Sequence, residues 1–379
     1  MSLVLDEHRQ YLADEPRLEA FRRAITAVVR PGDVVLDLGS GTGILGYLAC
    51  QAGASRVYAI DEGPIVGLAR DLIHANGLDD RVQVIRQVST WTTLPEPVDV
   101  IVTDQIGQVG FDAGVVQYVS DARRRLLKPG GRIVPGAITV HAAPCSDDAV
   151  RTAVEFWSRP VADLDWSCVR PMAVCTGYPR RLDPAQLLAD SRPLFHIDLR
   201  TAEGERLEGE ASFSVARAGA MDAVAAWFVA DLAPGVTMTN GPGDPRRIDR
   251  RLAVLPIDRP VAVAPGDRID ITLRARPAET VLDWRVVVRG ADGGERARFR
   301  HSTFGGMLIA AEDLARTLPD RVPVLSAVGR ARQSVLELCD GVRTVGAIER
   351  EMRARHAELL PTDAAAATFV AEVLTRYAE

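Results

Sequence analysis

Two carboxylates, Asp104 and Asp112, bracket Gly107 and Gly110 in the stretch DQIGQVGFDAG, residues 104–114. The apolar run VDVIVT comes directly before it, so the stretch reads as a loop at the end of a buried strand. Carboxylates at such a place grip a cation, orient a nucleophile or take its proton; a solvated turn uses the same residues. A second group lies in VVLDLGSGTGILG, residues 34–46, where Gly39, Gly41 and Gly43 fall between a strand and a helix. There the backbone must turn tightly and let a ligand approach. Asp37 stands just before that loop, and Asp61, with Glu62 beside it, ends the next strand, VYAID. A carboxylate at that second strand end accepts both hydroxyls of a ribose. The spacing GxGxG differs from the GxGxxG of a dinucleotide pyrophosphate site. A further acid, Asp249, sits in the arginine-rich run DPRRIDRR, where an ordinary surface ion pair is the simpler expectation.

The elements that must position these groups follow from periodicity. Residues 8–30 carry Leu12, Leu18, Phe21, Ile25 and Val28 near helical spacing. Residues 34–150 alternate short apolar runs with helical stretches, which indicates a parallel sheet covered on both faces. After Pro135 the runs alternate apolar and polar residues between Gly, Pro and Asp, as in IDITL and VLDWRVVV, and read as antiparallel strands. From about residue 300 the chain turns helical, with Thr362 placed to cap the last helix. The expected architecture is α/β: a doubly wound, Rossmann-like domain (1–137), an antiparallel β-barrel domain (138–297) with an arm at about 150–190, and a small helical C-terminal domain (298–379).

Composition narrows the chemistry. The 379 residues are 47% hydrophobic and 25% charged, a globular balance with room for two or three domains. A net charge of −6 argues against non-specific binding to nucleic acid or to an anionic membrane. Lys128 is the only lysine among 45 basic residues, which reads as the codon bias of a GC-rich genome. The five cysteines are dispersed without a CxxC pair and the six histidines lack HxxxH spacing, so no metal site and a reducing compartment are expected. The amino-terminal stretch is too charged for a signal peptide and no apolar run is long enough to span a bilayer; a cytoplasmic location is the default.

The D-x-G-x-G-x-G pattern of residues 37–43 resembles motif I of the S-adenosylmethionine-dependent methyltransferases. That resemblance implies S-adenosyl-L-methionine as cofactor and S-adenosyl-L-homocysteine as product. Gly39, Gly41, Thr42, Gly43, Ile44 and Leu45, preceded by Asp37, would lie along its methionine portion. Asp61 and Glu62 would hold its ribose, and Val88 and Ser89 would face its adenine. Over about residues 8–295 the sequence is similar to the protein arginine methyltransferases. His8-R-Q-Y-L-A-Asp14-E-P-Arg17 follows their first-helix pattern, and LLKPGGRIVPGAITV follows their passage into the barrel. The likeness implies that Arg17 clamps the cofactor carboxylate, that His8 and Tyr11 of the same helix stand over the cofactor, and that the arm builds a homodimer.

At the acceptor end the pattern breaks. The family holds a guanidinium between two glutamates in the loop after the fourth strand. Asp104 matches the first, Ala113 falls at the second, and Asp112 is its neighbour. The family's Thr-His-Trp triplet falls at Ile248-Asp249-Arg250, so its histidine is missing too. Three readings stay open: a methyltransferase with another acceptor, in which Asp104 orients the nucleophile or takes its proton; an arginine methyltransferase in which Asp112 or Asp249 replaces the lost glutamate; and a cofactor-binding protein without turnover. Residues 334–352, SVLELCDGVRTVGAIEREM, resemble the PqqD-like winged-helix domains that bind a leader peptide by strand addition, and RVPVLSAV is the candidate strand before them. A peptide or peptide-like natural product is the substrate expected from that resemblance.

Overall fold

The computed structural model describes residues 4–204, 206–279 and 281–378; the outermost residues of the expected first and last domains lie outside it. Five parallel strands come first: β1 (Val34–Leu38), β2 (Arg56–Asp61), β3 (Val82–Arg86), β4 (Val98–Thr103) and β5 (Leu127–Val134). Their order is β3-β2-β1-β4-β5, so the winding reverses between β1 and β4. β1 is buried at every position, as expected of a strand covered on both faces.

The helices are α1 (Val4–Ala13), α2 (Glu15–Val28), α3 (Ile44–Gln51), α4 (Val66–Ala75) and α5 (Val115–Arg125). The single helix expected over 8–30 is in fact two, broken at Asp14. Its carboxylate accepts the Arg17 N–H at 3.2 Å and Pro16 opens the next helix, an N-cap with a proline in the first turn. The break turns Arg17 inward, and its residue is only 5% exposed.

Two antiparallel sheets follow. β7 (Tyr178–Arg180), β12 (Leu252–Val263), β10 (Gly219–Ala233), β6 (Ala137–Cys145) and β8 (Arg192–Asp198) form one, with β11 (Val236–Thr239) paired to β10. The other has the order β15 (Glu295–Ser302), β14 (Val281–Arg289), β13 (Arg268–Arg276), β9 (Leu207–Ser214). One apolar core joins them to the parallel sheet, running from Leu36 and Ile101 through Phe111 to Phe213 and Trp284. Side chains of this size contribute roughly 1.5–3 kcal/mol each on burial. Between β6 and β7 the chain makes an arm with α6 (Asp148–Glu155) and α7 (Arg170–Val174), over a small second core that includes Cys145, Val150 and Trp227.

One compact unit ends at Met307, past the 297 expected from sequence, because β15 continues the barrel to Ser302. The second unit, beginning at Leu308, contains α8 (Ala311–Arg316), α9 (Ala327–Leu338), α10 (Val345–Arg355) and α11 (Asp363–Tyr377) around Val335, Ile348, Met352 and Val370. Thr344 and Thr362 cap the last two helices, accepting the N–H groups of Ala347 and Ala365. The candidate strand in RVPVLSAV is not one. Val322 and Val324 lie exposed in irregular backbone, and no strand is present among the described residues of this unit to pair with them. No helix among the described residues is long and apolar enough to cross a membrane.

Candidate active site

The reversal of strand order between β1 and β4 opens a crevice at the carboxyl ends of the strands. Both motifs lie there: the glycine loop follows β1 and DQIGQVGFDAG follows β4. The N–H groups of Gly39 and Ser40 donate to the Ile60 carbonyl at 2.9 and 3.0 Å, which stitches the loop to β2. Asp61 extends the stitch, its two oxygens accepting the Gly41 N–H at 2.9 Å and the Gly63 N–H at 2.8 Å. Gly39 and Gly41 have φ of 70° and 54°, a left-handed conformation favoured by glycine. A Cβ would also collide, at 2.5 Å with the Gln105 amide from the β4 loop and at 2.7 Å with the His8 ring from α1. Close approach from both sides is therefore built in.

A cavity of about 570 Å³ opens above this loop. It is lined by His8 and Tyr11 of α1, Arg17 of α2, Gly39, Gly41, Thr42 and Ile44 of the glycine loop and the start of α3, Asp61, and the acids Asp104, Asp112 and Asp249. A smaller recess of about 140 Å³ continues it past Asp61 and Glu62 to Val88 and Ser89. Three residues expected at the cofactor lie off this path. Gly43 lines a separate apolar groove with Tyr47 and Leu72, Leu45 is buried in the core, and Asp37 lies beneath the loop. The cause is helical geometry: past Thr42 the chain turns into α3, and only one face of its first turn meets the crevice. Asp37 has another task. One carboxyl oxygen accepts the Gly46 N–H at 2.8 Å, and the other has no protein partner among the described residues. Complete burial pushes its pKa up to about 7.

At the acceptor side, Thr103 donates to the Leu38 carbonyl at 2.8 Å and locks the ends of β4 and β1 together. Asp104 follows at once. Its Oδ2 accepts Arg17 Nε at 2.6 Å and Arg250 Nη2 at 2.7 Å. Burial alone would raise this carboxyl, but the charges of Arg250 and Arg17 outweigh it and hold the group below the usual carboxylate range. Its Oδ1 is buried with no protein partner among the described residues.

Asp112, although it lines the cavity, holds its own loop together. Its Oδ1 accepts the N–H groups of Gln108 and Val109 at 2.8 and 2.9 Å. A Cβ on Gly107, at φ 78°, would lie 2.2 Å from that same oxygen, so the turn closes only on glycine. Asp249 is exposed and pairs with Arg181, while its N–H donates to Asp14 Oδ2 at 2.7 Å. The barrel fixes the loop from the far side. Asn240 donates to the Gln108 carbonyl at 2.8 Å and to the Arg251 carbonyl at 3.0 Å. Arg250, Gln105 and Asn240 are the site residues the sequence reading does not single out. Nothing in the sequence sets Arg250 apart from the neighbouring arginines, and Gln105 and Asn240 stand in no motif; their places follow from the packed structure.

This site is comparable with known proteins. Residues 137–286 match the family described as the arginine methyltransferase oligomerization subdomain, and residues 21–171 match the ribosomal protein L11 methyltransferase family. An arginine N(omega)-methyltransferase of Streptomyces achromogenes subsp. streptozoticus is 32% identical over 273 residues, covering 70% of this chain and 75% of that protein. Protein arginine N-methyltransferase 6 of Xenopus laevis is 32% identical over 250 residues, with coverages of 62% and 73%. Among solved structures, protein arginine methyltransferase 10 of Arabidopsis thaliana shares the fold with a TM-score of 0.68 at 23% identity, over 79% of this chain and 98% of that one. The Trypanosoma brucei PRMT1 enzyme–prozyme heterotetrameric complex with AdoHcy gives 0.68 at 22% identity, over 78% and 97%.

Proposed function

Since the chain belongs to the arginine methyltransferase family and is an S-adenosylmethionine-dependent methyltransferase, we propose that it methylates a group other than an arginine guanidinium, carried by a peptide or peptide-like molecule. The cofactor, when bound, supplies an electrophilic methyl group on a sulfonium. The residues present fit it. Gly39 and Gly41 hold the left-handed backbone of the cradle close to Gln105 and His8, the Asp61 carboxylate stands at the tip of β2, and the recess by Glu62, Val88 and Ser89 suits a flat base. His8 and Tyr11 cover the site, and Arg17 offers the guanidinium edge not taken by Asp104 and the Tyr11 carbonyl to the cofactor carboxylate.

One observation supports the choice of acceptor: among the described residues, neither Asp112 nor Asp249 is left free to serve as the second carboxylate that would bracket a guanidinium. Position 113 is alanine, Asp112 is engaged by backbone N–H groups, and Asp249 is paired with Arg181 at the surface. A delocalised cation held on one side only is poorly oriented for in-line attack. The names of the relatives favour the rival reading, an arginine acceptor, and one assay separates the two. Transfer of labelled methyl from S-adenosylmethionine is expected to fail on an arginine-rich peptide and to succeed on arginine-free peptides of mixed composition. Efficient labelling of arginine would reverse the conclusion, and tight cofactor binding without any transfer would leave a silent binding protein.

The peptide part of the proposal draws on the C-terminal unit. Its Asp340–Gly341 turn is held by Asp340 accepting the N–H groups of Val342 and Arg343, just ahead of the Thr344 cap. Removal of residues 308–379 is expected to raise KM for a leader-bearing peptide while cofactor affinity stays constant. A homodimer is also proposed. Phe156, Leu164 and Trp166 are exposed on the arm, and an apolar groove of about 350 Å³ between Leu12, Tyr47 and Leu72 offers them a seat on a second copy. The arrangement would be twofold and isologous; a monomer in light scattering at micromolar concentration would refute it.

A further inference from the structure

We propose that Arg250 determines the acceptor specificity: its guanidinium occupies the carboxylate that an acceptor guanidinium would need, and the site takes an uncharged N–H group in its place, held by the free oxygen of Asp104. The inference rests on the methyltransferase reading of the cavity and adds the class of acceptor. Arg250 differs from the arginines around it. Arg246, Arg247 and Arg251 are exposed, whereas the Arg250 side chain is only 14% exposed. It donates to Asp104 and to the Gly107 carbonyl, and its guanidinium carbon lies 6.0 Å from the Tyr11 ring and 5.9 Å from the Phe228 ring. Carboxylate, carbonyl and aromatic faces are the contacts a substrate guanidinium would ask of a pocket. Here the protein supplies that guanidinium itself.

Two consequences follow from charge and valence. Arg17 and Arg250 together outnumber the one carboxylate they share, so a third guanidinium at Asp104 meets like charge. Asp104 lines the cavity, and its Oδ1 is buried and without a protein partner among the described residues. A buried unpaired acceptor calls for one donor. An imidazole or an unprotonated amine provides an N–H donor there without adding a positive charge. Because the two arginines keep Asp104 ionised, it accepts that N–H and orients the acceptor, while the lone pair of the amine, or of the imidazole's other nitrogen, stays free for the methyl group; the cationic product then gives up the N–H proton to solvent.

The test compares the wild type with Arg250→Ala, Arg250→Gln and Arg250→Lys by calorimetry at pH 8.5, using guanidinium ion and imidazole as probes, with and without S-adenosylhomocysteine. The wild type is expected to bind imidazole at least tenfold more tightly than guanidinium. Arg250→Ala and Arg250→Gln should gain at least tenfold in guanidinium affinity, and Arg250→Lys should stay close to wild type. Arg250→Gln keeps most of the volume should the alanine variant fail to fold. Equal guanidinium affinity in wild type and a folded neutral variant, judged by melting temperature, would overturn the proposal. Failure of S-adenosylhomocysteine to bind the wild type would instead sink the methyltransferase reading, and the titrations without it would still decide the role of Arg250.

Discussion

Asp37 and Asp104 are both carboxyls withdrawn from solvent at the crevice, one on β1 and one just past the end of its neighbour β4, and burial pushes both upward, yet their net shifts are opposite. Asp37 has one backbone N–H, from Gly46, and its pKa rises to about 7; Asp104 has two guanidiniums and is held below the ordinary range. The partners, and not the depth, decide the charge state. The same contrast separates the two ends of the cavity. At the cofactor end Asp61 is held by backbone N–H groups, of Gly63 in its own turn and of Gly41 in the glycine loop. At the acceptor end Asp104 is held by Arg17 and Arg250, which approach from another helix and from the barrel. Backbone donors travel with the fold, whereas side-chain donors change with a single codon, so the acceptor end is the one free to diverge.

Breaking the acceptor end should have the largest effect. Asp104→Ala leaves two buried guanidiniums without their carboxylate, and a loss of about 3–5 kcal/mol in urea unfolding is expected, together with loss of methyl transfer. Unchanged stability would mean that water already screens the triad. The contrast with Asp37 sharpens in a pH series. A carboxyl raised from 3.8 to about 7 in the folded state binds its proton more tightly than in the unfolded chain, so stability falls as pH rises across that interval. Asp37→Asn should remove that slope. Asp104 has the opposite sign: its contribution is present above the unfolded carboxylate pKa and disappears as pH falls through the lowered folded value.

At the cofactor end, Asp61→Ala should weaken S-adenosylhomocysteine binding by roughly 100-fold in calorimetry, about 2.7 kcal/mol, since it removes charge-assisted bonds and the staple of the loop. A loss under threefold would show that the ribose is held elsewhere. Asp112→Ala should cost about 1–3 kcal/mol of stability, because the freed N–H groups of Gln108 and Val109 lose their buried acceptor. It should raise acceptor KM more than it changes cofactor affinity. Asp249→Ala, which removes an exposed pair with Arg181, should change stability by less than about 1 kcal/mol and leave both affinities in place.

Much of this was legible in the residues. Continuous apolar runs gave the parallel strands, and alternation gave the barrel strands. The sequence D-E-P at 14–16 also announced the helix break, although the apolar stripe across it suggested one long helix. Asp61 at a strand tip and glycines in the loop follow from local spacing and are where the sequence put them. Asp37, Gly43 and Leu45 do not line the crevice, and spacing alone does not say which face of the first helical turn meets it. For Asp112 spacing is compatible with both a substrate contact and a turn acid, and only the folded structure shows its bonds to the N–H groups of Gln108 and Val109. β15 and the missing strand at RVPVLSAV show the same limit: a strand is defined by its neighbour. Glu295–Ser302 has β14 beside it, and Val322 and Val324 have none among the described residues.

By itself the sequence determined the layered order of the fold, the tight glycine turn and the carboxylate at the second strand tip, because those depend on contacts between residues close in the chain. Tertiary structure alone decided that Arg250, 146 residues from Asp104, closes on it and makes the acceptor carboxylate part of an internal ion triad. The physical reason is range. A turn or a strand tip is settled by backbone geometry over a few residues, whereas the charge partner of a buried acid is whichever side chain the packed domains bring within about 3 Å.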